Sequence, residues 1–159
     1  MTQLMHVLLD RITFLHGETR KALHGLPDEA LDWAPGPGMN SLCATVVHML
    51  GAEHYWLSDV ACGVPSSRDR DAEFRSYGLS TSVLGDMLDQ ADAFAEKALA
   101  GLNEADLDTV RVSVQHGREF SVAWAVAHVI EHGAIHVGHV QIIKQVWEQA
   151  SSVQSAEHA

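Results

Sequence analysis

One helical period runs unbroken from residue 122 to about residue 149. Its apolar face is Val122, Ala125 and Val129, then Val140, Ile143 and Trp147. A stripe of that length must be buried against other elements, so the rest of the chain has to supply matching faces. At about 100° per residue, position 136 falls in the middle of the stripe and position 132 about 40° to one side. The core face is therefore interrupted at its centre by His132 and His136. An unpaired buried polar group costs roughly 1–3 kcal/mol, so something must satisfy these rings.

Three more segments carry the same period. Residues 2–23 place Leu8, Ile12, Leu15, Thr19 and Leu23 at helical spacing, until Gly25-Leu26-Pro27-Asp28 stops the run. Residues 28–33 add a turn of helix before the breaker Ala34-Pro35-Gly36-Pro37-Gly38. Asn40 or Ser41 caps a second helix to about Cys62, with Leu42, Thr45, Met49, Ala52, Trp56 and Val60 on one face. Residues 64–80 read as polar and irregular. A third helix over about 82–100 follows cap candidates at Ser80, Thr81 and Ser82, with Leu84, Met87, Leu88, Ala91, Phe94 and Ala98 on its face. The alternation at Val110–Val114 and the turn signal His116-Gly117 predict a small hairpin to Phe120, after which Ser121 caps the fourth helix. The expected fold is all-α: an antiparallel four-helix bundle over residues 1–150, with residues 151–159 as a flexible tail.

Composition narrows the function. The chain has 21 acidic against 10 basic side chains and a net charge of −11, so no basic footprint for nucleic acid exists and an acidic membrane surface is an unsuitable partner. No apolar run nears the roughly 20 residues of a membrane span, and the N-terminus lacks the basic start of a secretory signal. With only Cys43 and Cys62, not in a CxxC pair, two free thiols and a cytoplasmic location are expected. Histidine is the anomaly: 11 of them outnumber Lys and Arg together.

Residues i and i+4 on a helix have Cβ atoms roughly 5–6 Å apart. Two imidazoles so placed can converge on one ion at about 2.0–2.1 Å. On the residues alone the His132/His136 pair reads equally as a chelate or as two core-edge histidines bonded to carboxylates or carbonyls. His128 and His139 lie on the same flank, nearer solvent. A third ligand must come from another helix. His48, at the border of the second helix's apolar face, competes with His16 and His54 for that place.

Two stretches resemble a known family. Thr45-Val46-Val47-His48, continuing to Trp56-Leu57, resembles the second-helix motif of the DinB/YfiT-like metalloenzyme superfamily, including its DUF664 branch. Trp124 through His128, His132, His136 and Gly138 resembles its fourth-helix motif, HxxxHxG. The approach Leu26–Trp33 and Ser41-Leu42 is also similar. The resemblance spans roughly residues 1–150. It implies an up-down-down-up bundle, a homodimer, and a metal site of His48, His132 and His136. The DUF664 branch often has Glu where His132 stands, so this site matches the all-histidine version. Sulfoxide-synthase iron domains carry HxxxHxE instead. Gly138 sets that chemistry aside.

Three neutral imidazoles leave at least one coordination position open, as in catalytic rather than structural sites. The ligands suit Zn²⁺, Ni²⁺, Fe²⁺ or Cu²⁺. Members of the family include S-transferases and an isomerase that use a low-molecular-weight thiol, which implies such a thiol as cosubstrate beside a small-molecule substrate. Hydrolysis by a metal-bound water is the alternative reading. Metal binding without catalysis, as in a stress-response protein, is another. Glu53, Tyr55, His128 and His139 are the expected pocket or supporting residues.

Overall fold

The computed structural model describes residues 1–157. Four long helices carry the fold: α1 (Gln3–Leu23), α3 (Leu42–Tyr55), α5 (Thr81–Ala100) and α6 (Val122–Glu157). Two five-residue helices, α2 (Asp28–Asp32) and α4 (Arg70–Phe74), lie in the connections. A hairpin of β1 (Val110–Ser113) and β2 (Arg118–Ser121) precedes α6, with Val110 opposite Ser121 and Ser113 opposite Arg118. No helix among the described residues is long and apolar enough to cross a membrane.

The caps sit where side-chain oxygens were available. The Ser41, Ser80 and Ser121 hydroxyls accept from the backbone N–H groups of Ala44, Val83 and Trp124 at 3.2, 3.3 and 3.1 Å. Past Tyr55, α3 widens into π geometry over Trp56–Cys62. Its carbonyl end is held by Arg111, whose Nη1 donates to the Val60 and Ala61 carbonyls at 2.8 and 2.7 Å. Gly63 ends the turn at φ 70°, a conformation that a side chain would strain.

Packing defines the topology. Pairs such as Arg20–Asp89 and His16–Asp92 set α1 antiparallel to α5. His48 meets His132 and His136, and Trp56 meets His128 and Trp124, so α3 runs antiparallel to α6. α3 and α5 run the same way, with Leu42 and Cys43 packed near Leu84, and Cys62 against the Ala98 carbonyl. The four directions are thus up, down, down, up.

The core has two apolar layers. One contains Ile12, Tyr55, Trp56, Val60, Leu99 and Val129; the other contains Leu23, Leu42, Val46, Leu84, Leu88 and Val140. Cys43 belongs to the second layer and Cys62 packs on the first, and both are free thiols. Between the layers each long helix places a polar group at mid-height: His16 on α1, Glu53 on α3, Asp92 on α5, and His132 with His136 on α6.

Three elements differ from the sequence reading. On α1 the core face takes Met5 and His16, while Leu8 and Leu15 are only half-buried. The segment read as irregular contains α4, a helix too short to display a period. The last helix continues to Glu157 rather than ending near residue 149, so its final turns occupy most of the stretch expected to be a tail.

A three-histidine candidate metal centre

His48 is buried on α3, and His132 and His136 are half-buried on α6. Each offers one ring nitrogen, and the three nitrogens lie within 4.8 Å of one another. The Nε2 atoms of His132 and His136 are 3.2 Å apart. Four ligands at about 2.0–2.1 Å in a tetrahedron sit roughly 3.3 Å from each other, so this spacing fits one ion between the rings. The rings also meet edge-on, at centroid separations of 4.3 to 5.1 Å, as they must if they converge from different directions.

The electrostatics keep two of these rings uncharged. His132 is pushed down to about 3 by burial and then by the neighbouring His136, His48, His128 and Arg68 charges. His136 is pushed down to about 4 by burial and by His48 and His139. Both rings are therefore neutral near pH 7, the state in which imidazole binds a metal.

The outer nitrogens are oriented by partners. His48 Nδ1 bonds the Glu73 carboxylate at 2.9 Å, which leaves Nε2 for an ion. Glu73 in turn accepts from Arg68 Nε and Nη2 at 2.6 and 2.8 Å. Burial would raise the Glu73 carboxyl, but the hydrogen bonds from Arg68 and His48 outweigh it and hold the group below the usual carboxylate range. Phe74 stacks on the His48 ring at 4.2 Å. A Cβ at Gly51 would collide with the Glu73 carboxylate, so glycine there makes room for it. The Nδ1 atoms of His136 and His139 lie 3.4 Å apart at the exposed side.

Glu73, Arg68 and Phe74 were missed by sequence reasoning. Residues 64–80 read as polar and irregular, whereas Arg68 and Glu73 have side chains only 7% and 8% exposed and pair with each other. One local signal existed. Asp69 is an N-cap whose carboxylate accepts from Ala72 N at 2.9 Å, and it announces the short helix that carries Glu73 and Phe74.

The competing histidines are engaged elsewhere. His16 is 1% exposed and uses both nitrogens, Nε2 with Glu53 at 2.8 Å and Nδ1 with Asp92 at 2.7 Å. Burial opposes its charge, but the bonds and charges of Glu53 and Asp92 prevail and raise its pKa. His54 is exposed and lies tilted against the Phe94 ring, with centroids 4.2 Å apart. Of the expected supporting residues, Glu53 thus faces His16 rather than the three histidines. Tyr55 lies under Arg68, with the guanidinium 5.6 Å from its ring centroid. His128 stacks on Trp124 at 4.7 Å and meets Trp56 edge-on at 5.1 Å, forming an aromatic wall beside His132.

Fold and site together define a DinB/YfiT-like helical bundle with a histidine cluster that could hold a metal ion. A DinB-like protein from Bacillus cereus ATCC 10987 superposes with a TM-score of 0.72 at 22% identity, over 91% of each chain. YfiT from Bacillus subtilis, described as "a probable metal-dependent hydrolase with an unusual four-helix bundle topology", gives 0.72 at 13% identity, over 91% of this chain and 89% of that one. A mycothiol-dependent maleylpyruvate isomerase gives 0.64 at 14% identity, over 84% of this chain and 59% of the isomerase. These identities speak for the fold alone. No curated protein sequence matches the chain. The family itself is shown by sequence: residues 7–149 match the mycothiol S-transferase family, and the chain belongs to it.

Proposed function

We propose that His48, His132 and His136 bind one divalent transition metal, Zn²⁺, Ni²⁺ or Fe²⁺, and that the protein uses it to transfer a low-molecular-weight thiol, or to isomerise a small substrate through that thiol. The observation that carries this reading is the convergence of three ring nitrogens, on rings of which two are held neutral, with no fourth ligand in the cluster among the described residues. Bound there, the ion would supply Lewis acidity that lowers a thiol's pKa, and the thiolate rather than the thiol is the nucleophile. The chain's own residues do the rest. Glu73 fixes the tautomer and direction of His48. The wall of Trp56, Trp124 and His128 shields one side of the site from water. Membership of the mycothiol S-transferase family supports mycothiol as the thiol.

Cobalt substitution tests the reading. Adding mycothiol to the Co²⁺ protein should produce a sulfur-to-cobalt charge-transfer band that His132→Ala removes. No band with any biological thiol, together with thiol-independent hydrolysis of an ester or amide panel, would replace this reading with a hydrolase that activates water. The reading includes a homodimer, supported by exposed Val7 and Phe14 on α1 and Ile135 and Ile142 on neighbouring α6. Sedimentation equilibrium tests that part.

A further inference from the structure

The carboxylate behind His48 is itself held from outside the four long helices. Glu73 takes two hydrogen bonds from Arg68, from Nε at 2.6 Å and from Nη2 at 2.8 Å. Arg68 stands on residues 64–69, a stretch without regular secondary structure. An arginine side chain has many rotamers and loses much entropy when it is fixed. On such a stretch its direction depends on what the guanidinium and the backbone touch.

The hairpin supplies those contacts. Gln115 is exposed in the turn between β1 and β2, and its side chain meets Arg68 twice. Its Nε2 donates to the Arg68 carbonyl at 3.4 Å, and its Oε1 lies 3.5 Å from Arg68 Nη1. The guanidinium is thus divided: Nε and Nη2 face Glu73, and Nη1 faces Gln115. Below it lies the Tyr55 ring, its centroid 5.6 Å from the Arg68 Cζ. The same tyrosine fixes the turn. Its hydroxyl accepts from the Gln115 backbone N–H at 3.3 Å and sits 2.5 Å from the Ser113 hydroxyl, with Tyr55 and Ser113 both buried. Arg68 therefore rests between one residue of α3 and one of the hairpin, and those two are bonded to each other. From there the contacts run without a gap from Gln115 to Arg68, Glu73 and His48.

We propose that Gln115 is a positioning residue for His48: it directs the Arg68 guanidinium at Glu73, and Glu73 in turn aims His48 Nε2 at the metal ion. This assignment rests on the metal-binding reading above and deepens it, because a hairpin that carries no ligand then helps to set the affinity for the ion. Bonds of 3.3–3.5 Å are long and individually weak, so the contribution is smaller than the roughly 10–100-fold that a ligand-orienting carboxylate supplies.

A double-mutant cycle tests the route. Zn²⁺ affinity is measured by competition with a chromogenic chelator on the wild type, Gln115→Ala, Glu73→Gln and the double variant. Gln115→Ala should weaken binding about threefold to fivefold, below the range for the carboxylate itself. In the Glu73→Gln background, where the link to Arg68 is already broken, the same substitution should add little. Val114→Ala, at the neighbouring exposed position, should bind like the wild type. The metal-free protein gives a second readout. The His48 Nδ1 proton, bonded to a carboxylate, should resonate far downfield in ¹H NMR and vanish in His48→Ala, and Gln115→Ala should shift and broaden it. Wild-type affinity in folded Gln115→Ala would overturn the proposal. So would an equal loss in both Glu73 backgrounds, which marks a general loosening of the fold, or an unmoved His48 proton. A wild-type protein that takes up no zinc at the three histidines defeats the metal reading and the affinity role of Gln115 with it, and the NMR result still decides whether the hairpin orients His48.

Discussion

Removing Glu73 should weaken metal binding without removing any ligand. Its Oε2 accepts from His48 Nδ1 at 2.9 Å and from Arg68 Nη2 at 2.8 Å, and its Oε1 accepts from Arg68 Nε at 2.6 Å. Loss of a carboxylate that orients a ligating histidine typically costs 10–100-fold in metal affinity, about 1.4–2.7 kcal/mol. Glu73→Ala removes all three bonds and belongs at the upper end, about 100-fold. Glu73→Gln keeps an oxygen for His48 but turns an amide N–H₂ against the Arg68 Nε–H, so it belongs near tenfold. Breaking the nearly buried pair with Arg68 also costs stability, on the order of 3–5 kcal/mol for the alanine variant. The glutamine variant keeps the shape and guards against simple unfolding. The assay is competition for Zn²⁺ with a chromogenic chelator, on protein whose helicity is checked by circular dichroism. Gly51→Ala, which crowds the Glu73 carboxylate without touching a histidine, should also weaken binding. If folded Glu73→Ala binds zinc within about twofold of wild type, His48 does not depend on Glu73 and the reasoning fails.

Two further outcomes are expected. His48→Ala, His132→Ala and His136→Ala should each abolish tight metal binding while His54→Ala and His128→Ala retain it, and elemental analysis of the five untagged proteins reads the difference. Unchanged stoichiometry in His48→Ala would remove α3 from the site. The metal-free fold should lose stability as pH falls from about 6.5 towards 4, because the unfolded chain then takes up protons that folded His132 and His136 refuse. His16 has the opposite sign. Its raised pKa gives stability that is fully present below about 6.5 and lost as pH rises through the folded value. Melting temperatures against pH should show a flatter acid limb for the His132→Asn/His136→Asn protein and a flatter limb above pH 6.5 for His16→Asn. Parallel curves for all three proteins would contradict both assignments.

The amino-acid sequence by itself determined the four long helices, the Ser121 cap and the hairpin, and it narrowed the caps of α3 and α5 to two and three candidates. Each rests on a pattern within a few turns of one segment: an apolar period, a hydroxyl before the first turn, an alternation broken by His116-Gly117. It also determined that His132 and His136 interrupt a core face, since that follows from spacing along a single helix. His48 was one of three candidates on the residues, and only the resemblance of its flanking motif singled it out. The tertiary structure decided which groups meet. It sent His16 to Glu53 and Asp92, and it brought Glu73 and Arg68 from a polar connection to the back of His48. It also linked His116 to Tyr55 through Ser113. The physical reason is that periodicity reports which way a side chain faces within its own element. A carboxylate on a five-residue helix has no period to report, and its partner lies 25 positions away on α3. Such a pairing is defined only when the bundle closes and burial limits a charged or hydrogen-bonding group to the few neighbours within reach.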